Sequence, residues 1–253
     1  MPQKECITPK NGEVLAERTD VIDRHHTIGL SNDLVRAVHQ INADGKLLLA
    51  IVISRLDSMA TYKMEDTRTT VTVAQWEDLH KGKNPWRDLK RAANNVFEAE
   101  IRMDTSTGTK NRYKRIRWCS SIEYCESEAK VIVILSRELL PHVTQLNVKF
   151  TSFKVGNLGE MRTLYAWRLY ELLMQWKSTG MVEIEIETLH ECLEVPNSCS
   201  VNFGEMRRRV IVPAVKEIED KANLEIMWNP KKKGRRVASI LFGFTEKKQP
   251  ALF

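Results

Sequence analysis

The sequence predicts an α+β fold built from two tandem winged helix-turn-helix domains. Three observations predict it. An order of strand, helix, turn, helix and β-ribbon occurs twice in the 253 residues. The helix-opening residues of the two passes keep nearly the same separation, with Thr72 and Thr188 standing 116 positions apart and Asn84 and Asn202 118 apart. Cationic residues gather on the second helix and the ribbon of each pass. A chain that is 42% hydrophobic can bury two cores of this size.

The elements follow in order. Residues 1–30 mix charges without period and read as an N-terminal arm. Ser31 suits an N-cap with Asp33 in the first turn, and Leu34, Val35, Val38 and Ile41 recur at helical spacing. Asp44-Gly45 reads as a chain break. Lys46 to Leu56 is apolar on every side, as in a buried helix. Thr70 to Val73 alternates like a short strand. Thr72 and Gln75 have capping-box spacing and open a helix whose inward face is Val73, Trp76 and Leu79. Gly82 interrupts the pattern. Asn84-Pro85 then caps and starts a second helix reaching about Glu100, with Leu89, Ala93, Val96 and Phe97 inward. Glu100 to Met103 and Lys110 to Trp118 read as a ribbon turning at Gly108, and this ribbon is expected to be the first wing.

Between the units lie a β-branched strand, Lys130 to Leu135, and a long helix expected over 159–177. Met161, Leu164, Tyr165, Arg168, Leu169, Leu172, Leu173 and Trp176 form the helix's inward stripe. The second pass then begins. Met181 to Ile186 alternates apolar and acidic residues, and Thr188 with Glu191 offers a second capping box. Asn202 caps a further helix. Leu224 to Trp228, a turn at Gly234 and Val237 to Phe244 form the second ribbon. The expected organisation is therefore an arm over 1–30, an N-terminal winged-helix domain over 31–150 and a C-terminal one over 151–253. Pro213 stands inside the last helix, where it either kinks the helix or divides it in two.

Charge placement identifies the working surface. The net charge is only +6, but residues 81–118 carry eleven Lys/Arg against four Asp/Glu, and residues 196–253 twelve against six. The rest of the chain is therefore net negative. A winged helix lays its second helix in the major groove and its ribbon along the backbone. Arg reads guanine bidentately and Lys supplies a point charge to phosphate. The candidate DNA-binding residues of the first unit are Arg87, Lys90, Arg91 and Asn94, which share one helix face, with Lys110, Arg112, Lys114, Arg115 and Arg117 on the ribbon. Those of the second unit are Ser200, Asn202, Arg207, Arg208 and Arg209 at the helix start, with Lys231, Lys232, Lys233, Arg235 and Arg236 on the wing. Consecutive arginines fan around a helix, so Arg207, Arg208 and Arg209 cannot all read bases.

Other functions lack their motifs. There is no phosphate-binding Gly-Lys loop, no G-x-G-x-x-G and no G-x-S-x-G. The five cysteines show no C-x-x-C, and His25 and His26 are adjacent rather than spaced as a metal pair, so no cofactor and no metal are expected. A nicking enzyme needs a nucleophilic tyrosine, and Tyr165 and Tyr170 lie on the long helix as packing residues. No apolar run of membrane-spanning length occurs and the first residues are polar, so a cytoplasmic protein with reduced thiols and no membrane partner is expected.

Several stretches together resemble the theta-type plasmid replication initiators that bind iterons. They are "N-x-L-V … K-L-L-L-A-I" within 32–56, "W-C-S-S-I-E-Y" over 118–124, "S-R-E-L-L-P" over 136–141 and "T-L-Y-A-W-R-L-Y-E-L-L-M-Q-W" over 163–176, which contains the family's R-L-Y-E-L-L signature. "N-F-G-E-M-R-R-R-V-I-V-P-A-V-K-E-I" over 202–218 and "G-R-R-V-A-S-I-L-F" over 234–242 complete the set. The resemblance implies two winged-helix domains, the C-terminal one making the principal base contacts in the iteron. It implies an N-terminal domain that touches the adjacent part of the repeat and forms the homodimer. It further implies a monomer that initiates replication, a dimer that represses its own gene at an operator inverted repeat, and recruitment of the host replicative helicase and chromosomal initiator protein. No catalytic site is implied. The arm over 1–30 and the acidic loop over 123–128 carry no signature. The alternative reading is a winged-helix transcriptional regulator without a role in replication.

Overall fold

A computed structural model describes residues 26–106, 112–147, 149–159 and 161–247. Of the expected arm, residues 1–25 lie outside the described residues. So do Gly108 and Lys110.

The N-terminal unit opens with β1 (Thr27–Ser31) and α1 (Asn32–Arg36). The strand replaces the end of the expected arm, because Ile28 and Leu30 are buried beneath it. Ser31 caps α1 by accepting from the Leu34 amide at 3.2 Å. That helix is shorter than its apolar spacing suggests: Val38 leaves it to form an isolated bridge with Arg102. Next comes α2 (Ala43–Ser54), buried from Gly45 to Ser54 as its all-round apolar sequence requires. Asp44-Gly45 is no chain break. Asn42 caps the helix there, and a Cβ on residue 45 would stand 2.4 Å from Asn95 Oδ1. Glycine lets the second helix approach α2 at that point.

The helix-turn-helix follows as β2 (Thr69–Thr72), α3 (Val73–Leu79) and α4 (Pro85–Glu98). The Thr72–Gln75 capping box forms on both sides, and Asn84 accepts from the Arg87 amide with Pro85 in the first turn. Leu89, Ala93 and Val96 are buried as expected, but Phe97 is 49% exposed. Each fully buried side chain of Leu, Ile or Val size contributes about 1.5–3 kcal/mol.

Two hairpins then occur in succession. The first joins β3 (Glu100–Asp104) to β4 (Tyr113–Arg117), and the second joins β5 (Cys119–Cys125) to β6 (Lys130–Leu135). Only the second belongs to the three-stranded sheet, whose order is β2-β6-β5. The expectation about the first wing is therefore corrected. The basic ribbon is a separate two-stranded insertion, and the wing in the sheet is Cys119–Leu135, with the acidic stretch at its tip. Thr69 pairs with Val133, more than sixty residues away, which a local pattern cannot reveal.

The chain continues through α5 (Leu140–Val143), β7 (Phe150–Lys154) and α6 (Val155–Gly159). Strand β7 pairs antiparallel with β1, from Thr27 opposite Lys154 to Ser31 opposite Phe150. The long helix is α7 (Leu164–Met174), capped by Thr163 and shorter at both ends than its stripe suggested. Trp176 falls beyond its end and is 41% exposed.

Helix α7 joins the two units. Arg168 is fully buried. Its guanidinium donates to the carbonyls of Cys192 at 2.7 Å, Val35 at 3.0 Å and Ala37, and meets the His39 ring at 3.1 Å. Glu171 is 2% exposed and pairs with the buried Lys46 of α2. Burial pushes the Lys46 ammonium down to about 8, against the opposing pull of Glu171. Tyr170 completes the joint by accepting from Asn157 Nδ2 at 2.9 Å. The polar residues within the stretch 168–173 are thus structural. A buried arginine is tolerated because its donors meet carbonyls fixed by both units.

The C-terminal unit comprises β8 (Met181–Glu185), α8 (Ile186–Cys192), α9 (Asn197–Ser200), α10 (Phe203–Met206) and α11 (Val212–Lys221). Strands β9 (Leu224–Lys233) and β10 (Arg236–Glu246) end it. The sheet order is β8-β10-β9. Thr188 does not open α8. That helix begins directly after the strand, with Glu185 in the cap position and no side-chain cap bond, so Thr188 lies inside it. A π-helical turn over Arg207–Ile211 links α10 to α11. This turn resolves the proline question. Pro213 has no amide to donate and crowds the carbonyl four residues earlier, and the wider turn before it absorbs both effects without breaking the helix.

Candidate nucleic-acid interface

In the N-terminal unit, α4 turns a polar face outward. Arg87, Arg91 and Asn94 are exposed and Lys90 is half-buried. Lys90, Arg91 and Asn94 of this face are already engaged. Lys90 Nζ lies 2.9 Å from Glu126 Oε1 and 5.3 Å from the centre of the Trp86 ring. Arg91 pairs with Asp44 at 3.1 Å and with Asp88 at 3.4 Å. Asn94 Oδ1 accepts from the Tyr124 hydroxyl. The Lys90 hydrogen bond and charge hold the Glu126 carboxyl below the ordinary carboxylate value.

The ribbon cations are engaged in the same way. Glu100 accepts from Arg115 Nε at 2.6 Å and lies 3.5 Å from Arg117. Lys114 pairs with Glu138, whose carboxyl that bond holds down. Arg112 is exposed at the ribbon end, with its amide bonded to Ser106. Tyr113, 62% exposed, carries the Arg102 guanidinium 4.8 Å over its ring.

The C-terminal unit differs. Arg207, Arg208 and Arg209 are all exposed at the π-turn. Glu205 holds Arg208 at 2.9 Å and Arg209 at 2.7 Å. Arg207 instead lies 5.7 Å over the Trp228 ring on β9, which ties the helix to the wing strand. Lys231 meets Glu183 at 2.5 Å, and Ser239 also donates to that carboxylate. These two hydrogen bonds hold Glu183 below its usual value. Lys232, Lys233, Arg235 and Arg236 surround the tip, where Gly234 takes the left-handed φ of +65 that the turn requires. All four are exposed, and among the described residues none has an acidic partner within ion-pair distance. Asn202 spends its side-chain oxygen on the Gly204 amide at 2.8 Å, as an N-cap. Ser200 bonds back to the Asn197 carbonyl at 3.2 Å.

Sequence reasoning missed Tyr124, Glu126, Trp228, Glu100 and Glu205 as parts of these surfaces. Only Glu205 carried a local signal, three and four residues before two arginines. The others arrive by strand pairing.

Two family models match the chain. One, described as initiator replication protein WH1, matches residues 27–174, and the other, initiator Rep protein WH2, matches residues 185–244. The chain belongs to the replication initiator family. Its winged-helix architecture is that of the family, as the sequence predicted. This initiator is 22% identical over 232 residues to an uncharacterised 27.6 kDa protein of Escherichia coli, covering 87% of this chain and 94% of that one. It is 24% identical over 110 residues to a probable replication protein of Bifidobacterium longum, covering 44% of this chain and 36% of that protein. Its fold is that of the Pi initiator protein solved in complex with iteron DNA. The TM-score is 0.76 at 17% identity, covering 90% of this chain and all of that one. Among the described residues no helix is long and apolar enough to cross a membrane.

Proposed function

We propose that this initiator starts plasmid replication by binding repeated origin sequences, with its C-terminal helix and wing making the principal contacts. The carrying observation is the wing tip, where Lys232, Lys233, Arg235 and Arg236 stand exposed and, among the described residues, without acidic partners, in the same unit as the exposed Arg207, Arg208 and Arg209. Such a tip can meet phosphate without first breaking an ion pair, while the arginines at the helix start enter the major groove. The N-terminal helix face of Arg87, Lys90, Arg91 and Asn94 binds the neighbouring part of the repeat, with Lys114, Arg115 and Arg117 on its flank. Family membership favours this reading over a transcriptional regulator.

The protein acts in the cytoplasm by binding, not by catalysis. It dimerises through the N-terminal unit, represses its own gene as a dimer at an inverted repeat, and recruits the host helicase and chromosomal initiator as a monomer. Footprinting on the DNA flanking its own gene tests the core claim. Protection of several direct repeats is expected, and protection of a lone palindrome would favour the regulator. Normal replication of the origin with Arg207, Arg208 and Arg209 all changed to Ala would overturn the proposal. Metal-dependent nicking of that DNA by the purified protein would contradict the non-catalytic reading.

A further inference from the structure

The N-terminal hairpin ends in Glu126-Ser127-Glu128, closed by Ala129 at a left-handed φ of 47. Both carboxylates are exposed, at 69% and 61%. A tip of this charge cannot rest on a phosphate backbone, because like charges brought together repel. The same hairpin nevertheless reaches the outward face of α4. Glu126 holds Lys90 at 2.9 Å, and Tyr124, two residues earlier near the end of β5, donates to Asn94 Oδ1. Positions 90 and 94 are one helical turn apart, so the hairpin covers one continuous stretch of that face.

We propose that this hairpin is an intramolecular mask on the N-terminal reading helix: in the DNA-free protein Glu126 occupies Lys90 and Tyr124 occupies Asn94, and duplex DNA must displace Glu126 to engage them. The inference rests on the reading that α4 faces DNA. Its consequence is selectivity. A random duplex offers Lys90 only phosphate charge, for which Glu126 is a direct competitor. A cognate repeat also offers base edges to α4, so it loses proportionately less. The mask thus lowers non-specific affinity more than specific affinity, because a carboxylate disfavours a partner that offers only negative charge.

The test uses the full chain with Glu126→Gln, Tyr124→Phe, Lys90→Ala and the pair Lys90→Ala/Glu126→Gln. Each variant is titrated against a duplex carrying the repeats beside its own gene and a scrambled duplex of equal length, from 50 to 200 mM salt. Glu126→Gln is expected to bind the scrambled duplex roughly two- to fivefold tighter. It should also steepen the log–log salt dependence by up to about one ion. The gain on the repeats should be smaller, and Glu126→Gln should change nothing in the Lys90→Ala background. Tyr124→Phe should bind the repeats no worse than wild type. An unchanged melting temperature certifies the fold, since the Glu126 side chain is exposed. Scrambled-duplex binding by Glu126→Gln that is unchanged or weaker overturns the mask, the weaker result making Glu126 a positioning residue instead. Failure of wild type to prefer the repeats overturns the initiator reading alone, and failure to bind either duplex overturns both.

Discussion

The N-terminal hairpin tip reads Glu126-Ser127-Glu128, whereas the C-terminal tip reads Lys233-Gly234-Arg235. The two tips occupy corresponding places in their sheets, and they carry opposite charge. Behind them the contrast continues. In the N-terminal unit Lys90, Arg91, Lys114, Arg115 and Arg117 all have carboxylate partners. In the C-terminal unit four wing cations have none among the described residues. A repeated fold therefore does not repeat its electrostatics. The five named N-terminal cations must exchange partners to bind an anion, and the four wing-tip cations of the C-terminal unit are already open to one.

The comparison holds only while α7 keeps both units on one scaffold, so the variant with the largest expected effect removes that joint. Arg168→Ala leaves three buried carbonyls without a donor and takes a cation from beside Glu171. Urea unfolding is expected to show a loss of about 3–5 kcal/mol. A loss below 1 kcal/mol would mean that the network contributes little to holding the units.

The charge contrast itself is tested by salt. Changing Lys232, Lys233, Arg235 and Arg236 to Ala should lower the log–log salt slope of DNA binding by up to about four. Changing Lys114, Arg115 and Arg117 to Ala should lower it by clearly less than three. Those cations release carboxylates when they engage DNA, so fewer net counterions are displaced. Equal change per residue in the two units would remove the distinction between masked and open surfaces.

What was legible in the sequence follows the same division between local and distant interactions. Helix starts at Ser31, Thr72, Asn84 and Asn202 were legible, because a cap is chemistry between a side chain and an amide two or three residues on. The wing turn at Gly234 was legible for a like reason. Strand β1 was not, because Thr27–Ser31 has its partner at Phe150–Lys154, more than a hundred residues away. The first wing was mistaken because two hairpins follow α4. Charge singles out the first, whereas pairing of Thr69–Thr72 with Lys130–Val133 selects the second. Gly45 signalled a break because an Asp-Gly pair favours turns, but here the glycine admits Asn95. The cationic residues of the candidate interface could be listed from sequence. Their acidic partners could not, since Glu100, Glu126 and Glu138 reach them through tertiary structure.

The joint also gives a pH dependence. His39 is buried beside Arg168 and Lys46, and its Nε2–H donates a 2.6 Å bond to the Leu34 carbonyl. Burial first, then those two cations, push its pKa well below 6.5 despite the carbonyl. The folded state therefore binds this proton less readily than the unfolded state. Stability contributed by the neutral ring is complete above pH 6.5 and is lost as pH falls toward the folded value, at up to about 1.4 kcal/mol per pH unit. Urea midpoints between pH 7.5 and 5 should show the fall, and His39→Gln should flatten it. An equal slope in the variant would assign the effect to other groups.

The smallest expected effect comes from the one mask that both ends of the sequence signal share. Glu205 holds Arg208 and Arg209 from within the same helical run, at spacings of three and four residues, and all three side chains are at least one-third exposed. Pairs of this kind contribute about 0.3–0.5 kcal/mol each, because water screens them and long side chains lose freedom in forming them. Glu205→Gln should therefore tighten scrambled-duplex binding by roughly twofold if one of its two arginines meets phosphate, at the low end of the change expected for Glu126→Gln. The difference has a structural source. Glu205 moves with its arginines and can yield to phosphate by a rotamer change. Glu126 stands on a separate hairpin, whose Tyr124 also grips the helix, so its displacement exposes two reading positions at once. A larger effect at Glu205 than at Glu126 would reverse the order of the two surfaces and make the C-terminal helix the more strongly masked one.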